Sequence, residues 1–150
     1  MAESNARMQV TVPTLVQILA RLGAVRARGV LAGAGMADLR PMTAQALVPL
    51  LGGGRHASEL ATTLKVSRQA VAQMVANLER GGYVERVEDP GDARAKLVCL
   101  TARGRAAVRV LWEGSRALEE EWADLLGRER LDELRVMLAA VLGHAEHMFG

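Results

Sequence analysis

The chain has 150 residues, of which 50% are hydrophobic and 24% charged, and its formal net charge is +2 at pH 7. This length and balance are typical of a single soluble globular domain. One cysteine, Cys99, excludes an internal disulfide framework, which fits a reducing cytoplasm. Because the longest uncharged runs, at 8–20 and 41–54, are too short to span a bilayer and lack signal-peptide flanks, we expect a cytoplasmic protein without membrane contact.

The N-terminal third predicts two helices. Pro13 suits the first turn of a helix, and Gly33 and Gly35 should end it. Between them, apolar residues recur at helical spacing: Leu15, Ile18, Leu19, Leu22 and Val25. Residues 41–51 predict a second, short helix, which Pro49 should kink or end one turn early.

Residues 56–101 change hydrophobic period twice, which predicts a helix, a turn, a second helix and a hairpin. Leu60, Ala61 and Leu64 have helical spacing, and Ser67 is a good N-cap for the second helix. The apolar residues of that helix fall at i, i+3, i+4 and i+7, which predicts one buried stripe: Val71, Met74, Val75 and Leu78. Two glycines at 81 and 82 then stop the helix.

The opposite face of the second helix consists of small and amide side chains: Arg68, Gln69, Ala72, Gln73, Ala76 and Asn77. A helix in a DNA major groove needs such a face, because small residues permit close approach, amides can pair with adenine and arginine can pair with guanine. The alternative is an ordinary solvent-exposed face. That alternative is disfavoured, since such faces are usually rich in Glu and Lys and this one has neither from Arg68 to Leu78.

Two short β-type runs follow, at 83–87 and 96–100, with turn-forming residues at 89–92 between them. They predict a hairpin that carries Arg86, Arg94 and Lys96 beside the second helix.

An ordered set of motifs in this stretch resembles the MarR family of bacterial winged helix-turn-helix regulators. The motifs are Ser-Glu-Leu-Ala at 58–61, Ser-Arg-Gln-Ala-Val at 67–71, Leu-Glu-Arg-Gly-Gly-Tyr-Val at 78–84, Asp-Pro-Gly-Asp-Ala-Arg at 89–94 and Leu-Val-Cys-Leu-Thr-Ala-Arg-Gly at 97–104. The resemblance covers about a third of the chain and implies a mainly α fold with a small β-hairpin wing, flanked by N- and C-terminal dimerisation helices.

The resemblance also implies how the unit contacts DNA. Asp92 should hold Arg94 through a charge-assisted bond and aim it into the minor groove. The family often has a second arginine where this chain has Ala93, so the wing should make fewer phosphate contacts. The full set of expected DNA-contacting residues is Ser67, Arg68, Gln69, Ala70, Gln73, Asn77, Arg86, Asp92, Arg94 and Lys96.

After the hairpin, Thr101 is a good N-cap for a long helix that Gly127 ends. Its apolar stripe and that of the last helix comprise Val108, Leu111, Trp112, Leu118, Trp122, Leu125, Leu131, Leu134, Leu138, Val141, Ala145 and Met148. These terminal helices are more apolar than a domain of this size can bury by itself, which predicts a homodimer; a monomeric helical bundle is the alternative. We therefore expect one domain over 1–150, with its winged part at about 41–101 and dimerisation helices at about 11–33 and 102–148.

Other kinds of site receive less support from the sequence. No G-x-S-x-G motif occurs and the glycines at 52–54 lack a following Lys-Ser/Thr, so we expect neither an enzyme nor a cofactor. Cys99 could sense redox state, but its apolar neighbours favour a structural thiol. His144 and His147 could hold a metal; the simpler reading is an interaction with the helix dipole, and no metal site is expected.

These features predict a homodimeric regulator that binds a pseudo-palindromic operator in double-stranded DNA. The resemblance implies a repressor that acts by steric occlusion of a promoter. Many family members respond to small ligands, so a small-molecule effector is a candidate partner. The alternative function is a dimeric protein-interaction adaptor that has lost DNA binding. Retention of both Asp92 and Arg94 disfavours the adaptor, which would not need them.

Overall fold

The structure, a computed structural model, describes residues 10–149, with the backbone alone for Ala93, Met148 and Phe149. The helices are α1 (Val12–Gly33), α2 (Pro41–Ala44), α3 (Ala57–Leu64), α4 (Arg68–Arg80), α5 (Ala102–Leu126) and α6 (Arg128–Phe149), and the strands are β1 (Val84–Asp89) and β2 (Asp92–Leu100). This arrangement confirms the predicted mainly α fold with one hairpin. The chain forms two compact units, one ending at Leu111 and one beginning at Trp112.

The first unit contains the apolar core that supports the predicted second helix. Val71, Val75 and Leu78 on α4 are at most 2% exposed, and Met74 is half-buried, which confirms the predicted stripe. They pack in one cluster with Leu47 and Leu60 from the preceding elements. The exposed side of α4 is therefore fixed by the burial of its other side.

The segment 41–51 differs from the single short helix that was predicted. An α-helix runs only from Pro41 to Ala44, and the chain continues as a 3₁₀ helix over Gln45–Leu50. Pro49 explains the change, because it has no N–H to donate and its ring would clash with the carbonyl of Gln45 in an α-helix. Leu47 and Leu50 remain buried on the 3₁₀ segment.

The hairpin strands are longer than the predicted runs at 83–87 and 96–100. Asp89 pairs with Asp92, so the connecting turn shrinks to two residues, and a β-bulge lies at Glu88/Asp89. Side-chain acceptors make this possible: Asp89 Oδ1 accepts the Gly91 N–H at 2.8 Å. Tyr83 lies before β1 and is buried in the core.

One strand contact was not predicted. Arg55 and Val98 exchange two backbone hydrogen bonds, of 3.1 and 2.8 Å, so a residue two positions before α3 adds a short third pairing to the hairpin.

α1 and α6 expose much of their apolar surface. Pro13 lies in the first turn of α1 as predicted, but of the described residues of α1 only Leu31 is buried. Large apolar side chains with 41–69% exposure on the two helices are Leu15, Val16, Leu19, Leu22, Val25, Val136, Met137, Leu138, Val141 and Leu142. In the second unit Ala123 and Leu131 are buried, and Gly127 separates α5 from α6 with a φ of 85°. No helix within residues 10–149 combines the length and apolarity that crossing a membrane requires.

Candidate nucleic-acid interface

A tight turn sets the start of α4. Lys65 adopts a left-handed conformation with a φ of 53°, and the Val66 N–H donates to the Ala61 carbonyl at 3.1 Å. Ser67 then caps α4, because its Oγ accepts the Ala70 N–H at 3.1 Å. The predicted N-cap is thus confirmed, and it fixes where the first turn of α4 projects.

The amide-rich face of α4 is exposed as predicted. Arg68, Gln69, Gln73 and Asn77 are exposed, and Ala70 is half-buried. Gln73 Nε2 donates to Asn77 Oδ1 at 3.2 Å, and the Arg80 guanidinium donates to the same oxygen. These bonds bring Gln73, Asn77 and Arg80 together on the exposed face, and such amide and guanidinium groups can pair with base edges.

The hairpin places its basic residues at different depths. Arg94 and Lys96 are exposed near its turn. Arg86 lies nearer the base, where its Nε is 3.5 Å from Glu79 Oε2 of α4. Arg86 therefore links the hairpin to α4, and Glu79 offsets part of its positive charge.

Asp92 contacts Arg94 in a way that differs from the expectation. The resemblance implies a bond from the carboxylate to the guanidinium, whereas Asp92 Oδ1 accepts the backbone N–H of Arg94 at 3.0 Å. The backbone donor two residues ahead is the nearest one in an Asx-type turn. Asp92 thus shapes the chain at Arg94 through the backbone, and the charge-assisted bond to the Arg94 guanidinium stays a prediction.

A polar cluster at the end of α4 was missed by the sequence reasoning. The Tyr83 hydroxyl donates to Asp38 Oδ1 at 2.8 Å, and Arg103 Nη2 donates to both of those oxygens at 3.0 Å. Arg103 also lies over the Tyr83 ring, 4.7 Å from its centroid. The cluster ties the loop before α2 and the start of α5 to the end of α4.

The cluster shifts the ionisation of its members. The hydrogen bond from Tyr83 lowers the pKa of Asp38, with further lowering by Arg103, and burial raises the pKa of Tyr83. Gly104 is required beside it, because a Cβ there would lie 2.0 Å from the Tyr83 carbonyl oxygen. A buried tyrosine usually needs a partner for its hydroxyl, which is the signal that could have prompted a search for one.

The two other candidate sites gain no support. Cys99 is half-buried, and its Sγ would lie 2.6 Å from a Cβ at Gly54, so it packs against the backbone there. His144 and His147 are exposed on α6, and within residues 10–149 no three His, Cys, Asp or Glu side chains are grouped as a metal ion would need.

A capped helix after a tight turn, an exposed amide face and a basic hairpin beside it define a winged helix-turn-helix protein. Residues 37–95 match the family model described as MarR family. This match covers about two fifths of the chain and lies mainly in the winged part, which is therefore similar to the MarR family.

Three relatives illustrate the likeness. The chain is 38% identical over 63 residues to the transcriptional activatory protein BadR of Rhodopseudomonas palustris, which covers 42% of the chain and only 36% of BadR. Crystallised FabT of Streptococcus pneumoniae in complex with DNA is 23% identical with a TM-score of 0.77, and the match covers 91% of this chain and 95% of FabT. The transcriptional repressor CouR, bound to a 23-mer DNA duplex, is 25% identical with a TM-score of 0.70 over 95% of this chain and 99% of CouR.

Proposed function

We propose that the protein is a sequence-specific transcriptional regulator that binds double-stranded DNA as a homodimer. The observation that carries the proposal is the exposed amide face of α4, which is held outward by the buried stripe opposite and has a basic hairpin beside it. The similarity to CouR, a repressor solved on a DNA duplex, and to BadR over 63 residues supports it.

In this proposal α4 enters the major groove. Arg68, Gln69 and Gln73 read base edges, because their side chains are exposed on the face opposite the core and can make bidentate contacts. Ser67 and the first turn of α4 approach a phosphate, and Ala70 permits this close approach. Asn77 holds Gln73 in place through their hydrogen bond.

The hairpin acts as the wing. Arg94 inserts into the adjacent minor groove and reads its width, which depends on base sequence. Asp92 positions the backbone that carries Arg94, while Lys96 and the partly neutralised Arg86 attract phosphates.

Dimerisation gives the DNA site its symmetry. The exposed apolar residues of α1, and separately those of α6, are surfaces that a second copy covers in this proposal. A two-fold axis then places two α4 helices in successive major grooves, about 34–36 Å apart, on a pseudo-palindromic operator.

We propose repression as the sign of regulation. A bound dimer blocks a promoter through occupancy alone, whereas activation also needs a surface for the transcription machinery. A small-molecule effector relieves repression in this scheme if it binds better to a form whose two α4 helices have the wrong spacing.

Selection of bound fragments from a genomic DNA library, followed by fluorescence anisotropy, tests the proposal. We expect a selected duplex to bind about a thousandfold more tightly than a scrambled duplex of the same length, with affinity that falls steeply as salt is raised. Equal, weak binding to both duplexes would refute sequence-specific regulation and favour the adaptor function.

A further inference from the structure

We infer that His56 and Asp89 are positioning residues for the wing, and that their contact sets where Arg94 lies relative to α4. The inference rests on the proposed DNA-binding function and assigns a role there to two residues outside the expected contact set. It depends on a contact between the start of α3 and the turn of the hairpin.

The Asp89 carboxylate makes two bonds in different directions. Its Oδ1 accepts the Gly91 N–H at 2.8 Å, which closes the two-residue turn. Its Oδ2 lies 2.9 Å from His56 Nε2. One side chain therefore both shapes the turn and joins it to the helical part of the molecule.

His56 is a firm anchor because its backbone is held on both sides. Its N–H donates to Glu59 Oε2 at 2.8 Å in the first turn of α3. The preceding residue, Arg55, exchanges two backbone hydrogen bonds with Val98 of β2. The imidazole thus extends from a segment that is fixed to both α3 and the hairpin.

The outer end of the hairpin needs such an anchor. Beyond the pairing with Arg55, β1 and β2 form a two-stranded ribbon, which twists and bends easily when it is unsupported. Arg94 lies on this outer end, two residues after the strand begins at Asp92. A small change in the ribbon's direction would therefore displace the Arg94 guanidinium from the minor groove.

The contact is shielded enough to act as an anchor. The side chains of His56 and Asp89 are 35% and 20% exposed, whereas the Arg86–Glu79 pair at the hairpin base is 41% and 44% exposed. Partial burial limits how far water can compete for the contact between the imidazole and the carboxylate. The facing charged groups are Asp89 on the hairpin and Glu59 on α3, which binds the His56 backbone.

A thermodynamic cycle with Arg94 tests the inference. Asp89→Asn keeps an oxygen for Gly91 and removes the carboxylate that faces His56; His56→Gln removes the imidazole. We expect each change to weaken binding of the full-length protein to its selected duplex by about threefold to tenfold. Neither should weaken binding further when Arg94 is already Ala, and the pair together should cost no more than either alone. Equal losses with and without Arg94 would overturn the inference, since they would indicate a general structural role.

Glu88→Gln is the matched control for charge, because Glu88 is an exposed acid on the same strand as Asp89. Its loss should leave DNA affinity unchanged or raise it slightly. If Glu88→Gln weakens binding as much as Asp89→Asn does, the specific pairing with His56 is refuted.

Hydrogen exchange of the DNA-free protein gives an independent readout. Asp89→Asn should speed exchange in the outer hairpin at 89–96 and leave α4 unchanged; unchanged exchange at 89–96 would overturn the inference. The two levels of proposal can also fail separately. If the parent protein binds its selected duplex and a scrambled one equally, the DNA-binding function is refuted. If the parent prefers its selected duplex and Arg94→Ala weakens binding, but the His56 and Asp89 variants do not, only the role of His56 and Asp89 is refuted.

Discussion

The helix-turn-helix segment and the terminal helices α1 and α6 have similar apolar periodicity, but they use it differently. Leu60 and Val71, on α3 and α4, are each 1% exposed, whereas Leu22 on α1 and Val141 on α6 are 57% and 66% exposed. An apolar stripe therefore predicts that a face is to be covered, but does not say whether the same chain covers it.

Charge separates the winged part from the C-terminal segment. Residues 56–110 carry 9 basic and 6 acidic side chains, whereas residues 111–150 carry 4 basic and 9 acidic ones. The net positive charge of the first segment favours contact with DNA phosphates, and the net negative charge of the second opposes it. This difference supports the proposal that the winged part, rather than the C-terminal segment, contacts DNA.

The largest expected effect is the difference between buried and exposed leucines in how their replacement by Ala changes the free energy of unfolding. Leu47 is fully buried, so Leu47→Ala should lower the free energy of unfolding by about 2–5 kcal/mol. Leu22→Ala should act mainly on dimerisation, so its effect on urea unfolding should depend on protein concentration. A concentration-independent loss of the same size for Leu22→Ala would contradict the distinction between the regions.

A charge on α6 should sharpen the same distinction. Val141→Asp should weaken self-association by at least about a hundredfold, because an unpaired carboxylate would be buried between the subunits. Sedimentation velocity measures the change, with Ala139→Asp as the control on the opposite side of α6. Circular dichroism should show that the winged part stays folded. An unchanged sedimentation coefficient would place the interface elsewhere.

Gln73→Ala should alter specificity rather than overall affinity. If Gln73 makes a bidentate contact, its removal should cost about 1–3 kcal/mol at one base pair and leave the preference at other positions intact. Anisotropy with single-base variants of the operator measures this pattern. A uniform loss on every duplex would show that Gln73 does not read a base.

Arg94→Ala should weaken operator binding by about tenfold and reduce the salt slope by about one unit, while the fold and the dimer are retained. Arg128→Ala is the matched control: Arg128 is an exposed arginine paired with Glu120 in the acidic second unit. Affinity that responds equally to both substitutions would remove the electrostatic distinction between the regions.

The smallest expected effect concerns Asp38. Its pKa is lowered in the folded state by the Tyr83 hydroxyl and then by Arg103, so the ionised carboxylate stabilises the fold. That contribution is present at neutral pH and is lost as pH falls through the folded-state pKa, below the usual value of 3.8. The stability difference between the parent and Asp38→Asn should therefore shrink on acidification to about pH 3. A difference that grows with acidification would contradict the assignment.

Local features of the fold could be predicted from the sequence because they depend on neighbouring residues. The α4 stripe, the Ser67 cap and the Gly127 break are set by periodicity and by backbone preferences over a few positions. The exact length of the hairpin could not be predicted, because the turn composition around Pro90 conceals the pairing of Asp89 with Asp92.

Contacts between distant residues were beyond the sequence reasoning. Asp38 and Arg103 are 65 positions apart, and only the packing of Tyr83 brings them together. The contact between His56 and Asp89 likewise follows from the direction of the hairpin, which no local pattern specifies. Asp92 was expected in the turn but begins β2 opposite Asp89, and its Oδ1 accepts the backbone N–H of Arg94.

Hydroxyl-radical footprinting on the selected operator, combined with the mass of the complex, tests the central claim most directly. The account predicts two protected windows about one helical turn apart, two protomers per duplex, and loss of the minor-groove part of each window in Arg94→Ala. One protected window with one bound protomer, or uniform protection along the whole duplex, would contradict binding of a dimer to a pseudo-palindromic site.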